Sequence, residues 1–252
     1  MSKLLFSGVL IVILLITTAG FAPVISPYDP SEQNLFEGLK GPGSKHILGQ
    51  DRLGRDILSR IIYGSRVSLQ VGIMAVGISL ILGLIIGSAS GYFGGFIDNL
   101  FMRIADILLA FPGILLAIGI TAVLGPSLTN VILALSIISW VGYARLIRGQ
   151  ILSVREYEYV SAARAIGAGD FRIITKHILP NIIAPVLIQA SFGMAGAITA
   201  EAGLSFLGLG TQPPIPSWGS MLNEGRNYLL VAPHLTIFPG IAIMIVVIAF
   251  NF

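Results

Sequence analysis

Tyr159 to Pro180 reads Tyr-Val-Ser-Ala-Ala-Arg-Ala-Ile-Gly-Ala-Gly-Asp-Phe-Arg-Ile-Ile-Thr-Lys-His-Ile-Leu-Pro, a charged insert set between long apolar runs. Arg155 to Ile166 has the composition of a short helix. Gly167 is placed to end it, because glycine takes the left-handed conformation beyond a helix C-terminus without steric cost. Asp170 is expected to cap a second helix that carries Phe171, Ile174 and Ile178 on one face. Pro180, which lacks an N–H and clashes with the preceding turn, is expected to stop it. Ala162 and Ala163 give the first helix a low profile that suits close approach by another protein. The stretch therefore predicts helix, glycine corner, helix: a knob. The competing reading is an ordinary loop with two short helices and no partner.

Around the knob the chain is built for lipid. Its 252 residues are 55% hydrophobic and 11% charged, with a mean hydropathy of +0.89, outside the usual composition of soluble domains. The expectation is an all-α polytopic membrane protein. There is no cysteine, which excludes disulfides and thiolate metal sites and leaves the redox compartment open. The net charge of +3 comes from 15 basic and 12 acidic residues. The basic residues are scattered over short loops, and nucleic-acid binding needs them clustered on one face.

Six spans are predicted. Leu4 to Phe21 is an apolar run of 18 residues, close to the roughly 20 a spanning helix needs. It is long for the core of a signal peptide and is followed by Pro23 and Pro27, so it reads as a retained first span. Ala22 to Arg66 is a polar excursion, in which Arg52, Asp56 and Arg60 are spaced to share one helical face. Val67 to Gly91 is the second span, and Gly83, Gly87 and Gly91 form a stripe suited to close helix packing. Leu100 to Leu124 is the third, with a kink expected at Pro112 and an ion pair between Arg103 and Asp106. Leu128 to Leu146 is the fourth, closing on Trp140, Tyr143, Arg145 and Arg148, an aromatic and basic interface on the knob's side. Asn181 to Gly208 is the fifth and Ala232 to Phe252 the sixth. Residues 1–66 thus form a first span with an outer segment, and residues 67–252 a core of five spans interrupted by the knob loop 149–180.

Ser161-Ala162-Ala163, Gly167 and Leu179-Pro180 resemble the signature of the integral-membrane subunits of binding-protein-dependent ABC importers: Glu-Ala-Ala, a glycine, then Leu-Pro. Ser161 stands where the signature has Glu, and His177 where it has Ile. Two further stretches narrow the resemblance to the dipeptide, oligopeptide and nickel permeases, and to their second, shorter subunit. One is His46-Ile47-Leu48-Gly49-Gln50-Asp51 with Gly54-Arg55-Asp56; the other is Ala200 to Gly210 with Pro216-Ser217-Trp218-Gly219.

The resemblance implies the type I ABC importer permease fold. Tyr159 to Gly167 becomes the coupling helix that docks on a cytoplasmic ATPase, with Tyr159, Ser161, Ala162, Ala163, Arg164, Gly167, Asp170, Leu179 and Pro180 as the coupling residues. The implied partners are a homologous sister permease, two ATPase subunits that bind ATP and Mg, and an extracytoplasmic substrate-binding protein. The chain itself is expected to bind no cofactor and no metal, and to sit as a multi-pass protein in the cytoplasmic membrane of a prokaryote. Glu201 lies 21 residues beyond Pro180, about 31 Å along a helix. It and Trp218 are expected near the outer mouth, Glu201 either touching the sister subunit or binding protein or serving in packing. Family members continue past the last span into a charged tail, so a shortened sequence is expected. Orientation also rests on the resemblance: with the knob inside, eight Lys/Arg lie inside and seven outside, too even a division for the positive-inside rule.

An enzyme is disfavoured because His46, His177 and His234 lie on separate segments and no catalytic cluster forms. An ion-coupled secondary transporter is the alternative from another class. It would place ionisable groups at mid-depth within repeated halves, and neither is evident. No Gly-rich Lys-Ser/Thr nucleotide loop is present, so any ATP must be bound by another chain. With no His or Met cluster beside the fifth span, peptides are favoured over nickel or a metal chelate.

Overall fold

The computed structural model describes residues 3–252. Nine helices frame it: α1 Lys3–Gly20, α2 Ile57–Phe93, α3 Gly95–Leu109, α4 Gly113–Leu124, α5 Leu128–Val154, α6 Glu158–Ala165, α7 Asp170–Phe206, α8 Trp218–Gly225 and α9 His234–Asn251. Single turns lie between some of them, and among the described residues the one β feature is an isolated bridge between Gln50 and Asp56.

α2 starts at Ile57, ten residues before the predicted span, because Asp56 caps it. Its carboxylate accepts from the Ser59 amide at 2.8 Å and the Ser59 hydroxyl at 2.7 Å. This use of Asp56 overturns the predicted Arg52–Asp56–Arg60 face. Arg52 lies in the loop, Asp56 meets His46 Nδ1 at 2.9 Å, and Arg60 turns to Asp51 at 3.6 Å and Glu224 at 3.4 Å. With 37 residues, α2 is about 55 Å long and overreaches the roughly 30 Å hydrocarbon core.

The backbones of α2 and α5 approach closely along the glycine stripe. A Cβ at Gly83 would lie 2.4 Å from Tyr143 Cβ, one at Gly87 2.6 Å from the Ala144 carbonyl oxygen, and one at Gly91 3.0 Å from the Arg148 carbonyl oxygen. In lipid, association depends on such close approach rather than on a hydrophobic drive.

The predicted third span is not one kinked helix. α3 and α4 meet at 86°, and Pro112 caps α4 instead of bending a continuous rod. Without an N–H, Pro112 cannot extend the hydrogen bonding of α3, and ion pairs hold α3 elsewhere. Arg148 grips Asp98 through Nε at 2.5 Å and Nη2 at 2.6 Å. Asp106 pairs with Arg145 of α5 and not with Arg103.

Pro180 does not stop its helix either. α7 runs through it, because the turn Ile173–Ile178 widens into a π-helix. A π turn inserts one extra residue and shifts the donors, which accommodates a proline that has none. Asp170 is not the cap; Gly169 precedes the helix and Asp170 lies in its first turn. The same turn leaves Phe171 exposed and buries Ile173 and Ile178, so Phe171 does not share the inward face.

Four helices, α2, α5, α7 and α9, are long and apolar enough to cross a membrane. The bent pair α3–α4 makes a fifth when taken as one span, and α1, 18 residues long, is apolar as well. Six crossings therefore require counting both. One core cluster joins Ile147, Ile151 and Val154 of α5 to Val160 and Ala163 of α6 and to Ile173, Ile178 and Ile182 of α7. Another, at the start of α2, gathers Leu15, Ile57, Trp218, Met221 and Leu235.

Candidate coupling site

α6 is eight residues long, with Glu158 in its first turn and Arg164 in its last, both favourable to the helix dipole. Val160 and Ala163 are buried, while Tyr159, Ser161, Ala162 and Arg164 are exposed. The paired alanines thus divide: Ala162 supplies the low outer profile and Ala163 packs inward. Gly167 has φ +85°. The Ala168 amide donates to the Ala163 carbonyl at 3.0 Å and the Gly167 amide to the Arg164 carbonyl at 3.0 Å, the two bonds of a Schellman corner. Ile166, 86% exposed, and Phe171, 81% exposed, flank the corner. The knob thus presents a compact, partly apolar surface. Leu179 is half-buried and Pro180 exposed, further along α7.

The knob is tied to the end of α2. The Tyr92 hydroxyl donates to Asp170 Oδ1 at 2.6 Å and accepts from Arg164 Nη2 at 3.5 Å, whose guanidinium carbon also sits 5.7 Å from the Tyr92 ring centroid. Hydrogen bonding to that hydroxyl is the main cause holding the Arg164 guanidinium above its ordinary pKa. Arg155, which follows α5, donates from Nη1 to the Gly91 carbonyl at 3.0 Å. Sequence reasoning missed Tyr92 and Arg155; the only local mark of Tyr92 is its place just before Gly94-Gly95, where the helix must end.

Trp218 and Glu201 face inward at the other end of α2. Trp218 is buried and its Nε1 donates to the Ile61 carbonyl at 3.0 Å. Glu201 is buried, accepts from the Ser205 hydroxyl at 2.6 Å and has no partner on Oε2. Both side chains are thus held by partners within this chain. Nearby, Arg55 bridges Asp51 at 2.6 Å and Glu224 at 2.5 Å, fastening the loop before α2 to the end of α8. A cavity of about 280 Å³ opens between α2, α5 and α7, with Ser139, Tyr143, Gln189 and Gly193 among its lining and no charged side chain. Among the described residues no group of three or more His, Cys, Asp or Glu could hold a metal.

The described residues thus form a bundle of apolar helices with a short helix mounted on one end, the architecture of a protein embedded in a membrane. The chain belongs to the family of binding-protein-dependent transport system inner membrane components, which its residues 56–252 match. Residues 2–42 match the N-terminal TM domain of oligopeptide transport permease C. The dipeptide transport system permease protein DppC of Alkalihalophilus pseudofirmus is 47% identical over 250 residues, 99% of this chain and 82% of that one. The glutathione transport system permease protein GsiD of Pectobacterium atrosepticum is 45% identical over 243 residues, 96% and 81% of the two chains. An inward-facing structure of the MetNI methionine ABC transporter shares the fold, with a TM-score of 0.62 at 20% identity over 78% of this chain and 93% of that one. The protein is accordingly a multi-pass importer permease, a transport subunit and not an enzyme.

Proposed function

We propose that the chain forms half of the translocation pathway for di- or oligopeptides in a bacterial inner membrane. It pairs with a homologous sister permease, receives substrate from an extracytoplasmic binding protein, and takes its drive from two cytoplasmic ATPase subunits that bind ATP and Mg. The knob Tyr159 to Gly167 docks on one ATPase, and its motion rocks α5 and α7 between inward- and outward-open states. The carrying observation is the knob's construction. An eight-residue helix is closed by a glycine corner, anchored inward by Val160 and Ala163, and open outward along Tyr159, Ser161 and Ala162. Two relatives named for dipeptide and glutathione transport support the substrate class.

The test is reconstitution of the complex with its genomic neighbours in proteoliposomes and measurement of ATP-driven uptake of radiolabelled dialanine. Gly167→Trp strains a left-handed position in a place where nothing lies within 4 Å of an added Cβ. The variant is expected to assemble and hydrolyse ATP while losing most uptake. Normal uptake by that variant, uptake of nickel instead of dipeptide, or uptake by this chain alone under an ion gradient would each overturn the proposal.

A further inference from the structure

We propose that Tyr92 is the positioning residue that transmits the knob's motion to α2, its single hydroxyl joining α6 through Arg164 and the start of α7 through Asp170. This rests on the coupling reading of α6 and goes beyond it. α6 is short and flanked by non-helical links at both ends, and its inward contacts through Val160 and Ala163 are apolar. Apolar contact is not directional, so it holds α6 down without fixing its angle. Direction comes from hydrogen bonds, and Tyr92 uses both capacities of a phenol: it donates to Asp170 at 2.6 Å and accepts from Arg164 at 3.5 Å. The bond to the carboxylate is of the short, charge-assisted kind. Tyr92 is buried, edge-on to Phe93 with ring centroids 5.2 Å apart, which fixes the ring from which the hydroxyl projects. The neighbouring bond from Arg155 to the Gly91 carbonyl tethers the end of α5 to the same turn. Movement of α6 thus has a directional route to the last turn of α2 through the Tyr92 hydroxyl, beside the ring contact with Arg164 and the apolar cluster that Tyr92 shares with Val160 and Ala163, and α2 in turn packs on α5 along its glycines.

Tyr92→Phe keeps the ring and its contact with the Arg164 guanidinium but deletes the hydroxyl. In the reconstituted complex, ATP hydrolysis is expected to persist while dialanine taken up per ATP falls about tenfold, the order set by losing a hydrogen bond to a charged partner. Asp170→Ala should fall as far, the double variant no further than either alone, and Asp170→Asn, whose amide oxygen still accepts, should keep more of the ratio than Asp170→Ala. A structural defect would instead lower assembly and hydrolysis together and would not be relieved by asparagine. Gly167→Trp measured in the same vesicles separates the two layers. If it uncouples and Tyr92→Phe does not, the Tyr92 role is wrong and the coupling knob stands; if Gly167→Trp leaves uptake per ATP unchanged, the coupling reading itself falls. Additive losses in the double variant would also overturn the link. Should Tyr92→Phe fail to assemble, the exposed Asp170 carries the test alone, and equal ratios for its alanine and asparagine variants would refute the proposal.

Discussion

Gly83 and Gly77 lie on the same helix, six residues apart, yet a side chain means different things at each. A Cβ at Gly83 lands 2.4 Å from Tyr143 Cβ, while one at Gly77 meets nothing within 4 Å. Gly83→Leu is therefore expected to destabilise the detergent-solubilised protein by about 1–3 kcal/mol or more through overpacking, lowering its apparent Tm, while Gly77→Ala leaves it close to wild type. Equal melting temperatures would show that α2 and α5 are free to separate. The ionic residues divide in the same way. Arg55 is 4% exposed and bridges two carboxylates, so Arg55→Ala strands buried charge and is expected to cost about 3 kcal/mol. Lys40, paired to Glu37 at 2.7 Å but largely exposed, should cost under about 1 kcal/mol when changed to Ala. Thermal melts of the two variants side by side check the contrast. The sequence made the glycine stripe visible because its spacing is local. The Arg55–Glu224 bridge was invisible, because its partners are 169 residues apart and a separation of that size leaves no periodic trace.

At the level of elements, two prolines with similar local context behave oppositely. At Pro112 the helix breaks and the chain turns through 86°; at Pro180 the helix continues through a π turn. Sequence predicted a bend for the first and a stop for the second, reading each from the proline's own missing N–H and ring clash. Tertiary contacts decide the outcome. α3 is tied by Asp98 and Asp106 to Arg148 and Arg145, whereas α7 on both sides of Pro180 is packed inward through Ile173, Ile178 and Ile182, all buried in one cluster. Removing the cause should remove the distortion. Pro180→Ala restores a donor at position 180 and is expected to let Ile173–Ile178 relax toward α-helical bonding, read as increased amide protection over residues 176–184 in hydrogen-exchange mass spectrometry. Unchanged protection would mean that packing, not the proline, imposes the wide turn. The Gly167 corner was legible in full because a left-handed C-terminus is a property of the residue itself.

On the scale of the whole molecule, the knob and the loop before α2 lie at opposite ends of α2, the first at Tyr92 and the second at Asp56. Charge counting could not orient the chain, since eight basic residues face seven across the predicted topology. Long apolar runs revealed the spanning helices, but the bent pair blurred the number of crossings. The absence of cysteine makes sidedness directly testable. Ser161→Cys and Ser44→Cys, both at exposed positions, are expected to react with a membrane-impermeant maleimide from opposite faces, Ser44→Cys in intact cells and Ser161→Cys only after permeabilisation. Reaction of both from one side would contradict the arrangement.

The length of α2 has a mechanical consequence. Its first end is clamped, by the Asp56 cap and by Arg60 lodged between Asp51 and Glu224, while its last turn is held through the Tyr92 hydroxyl to Asp170. A rod of about 55 Å pivoting at its clamped end through a tilt of about 5° swings its tip about 5 Å. Leverage of that kind converts a small rotation at the fulcrum into a stroke as large as one helical turn, without any helix having to unwind.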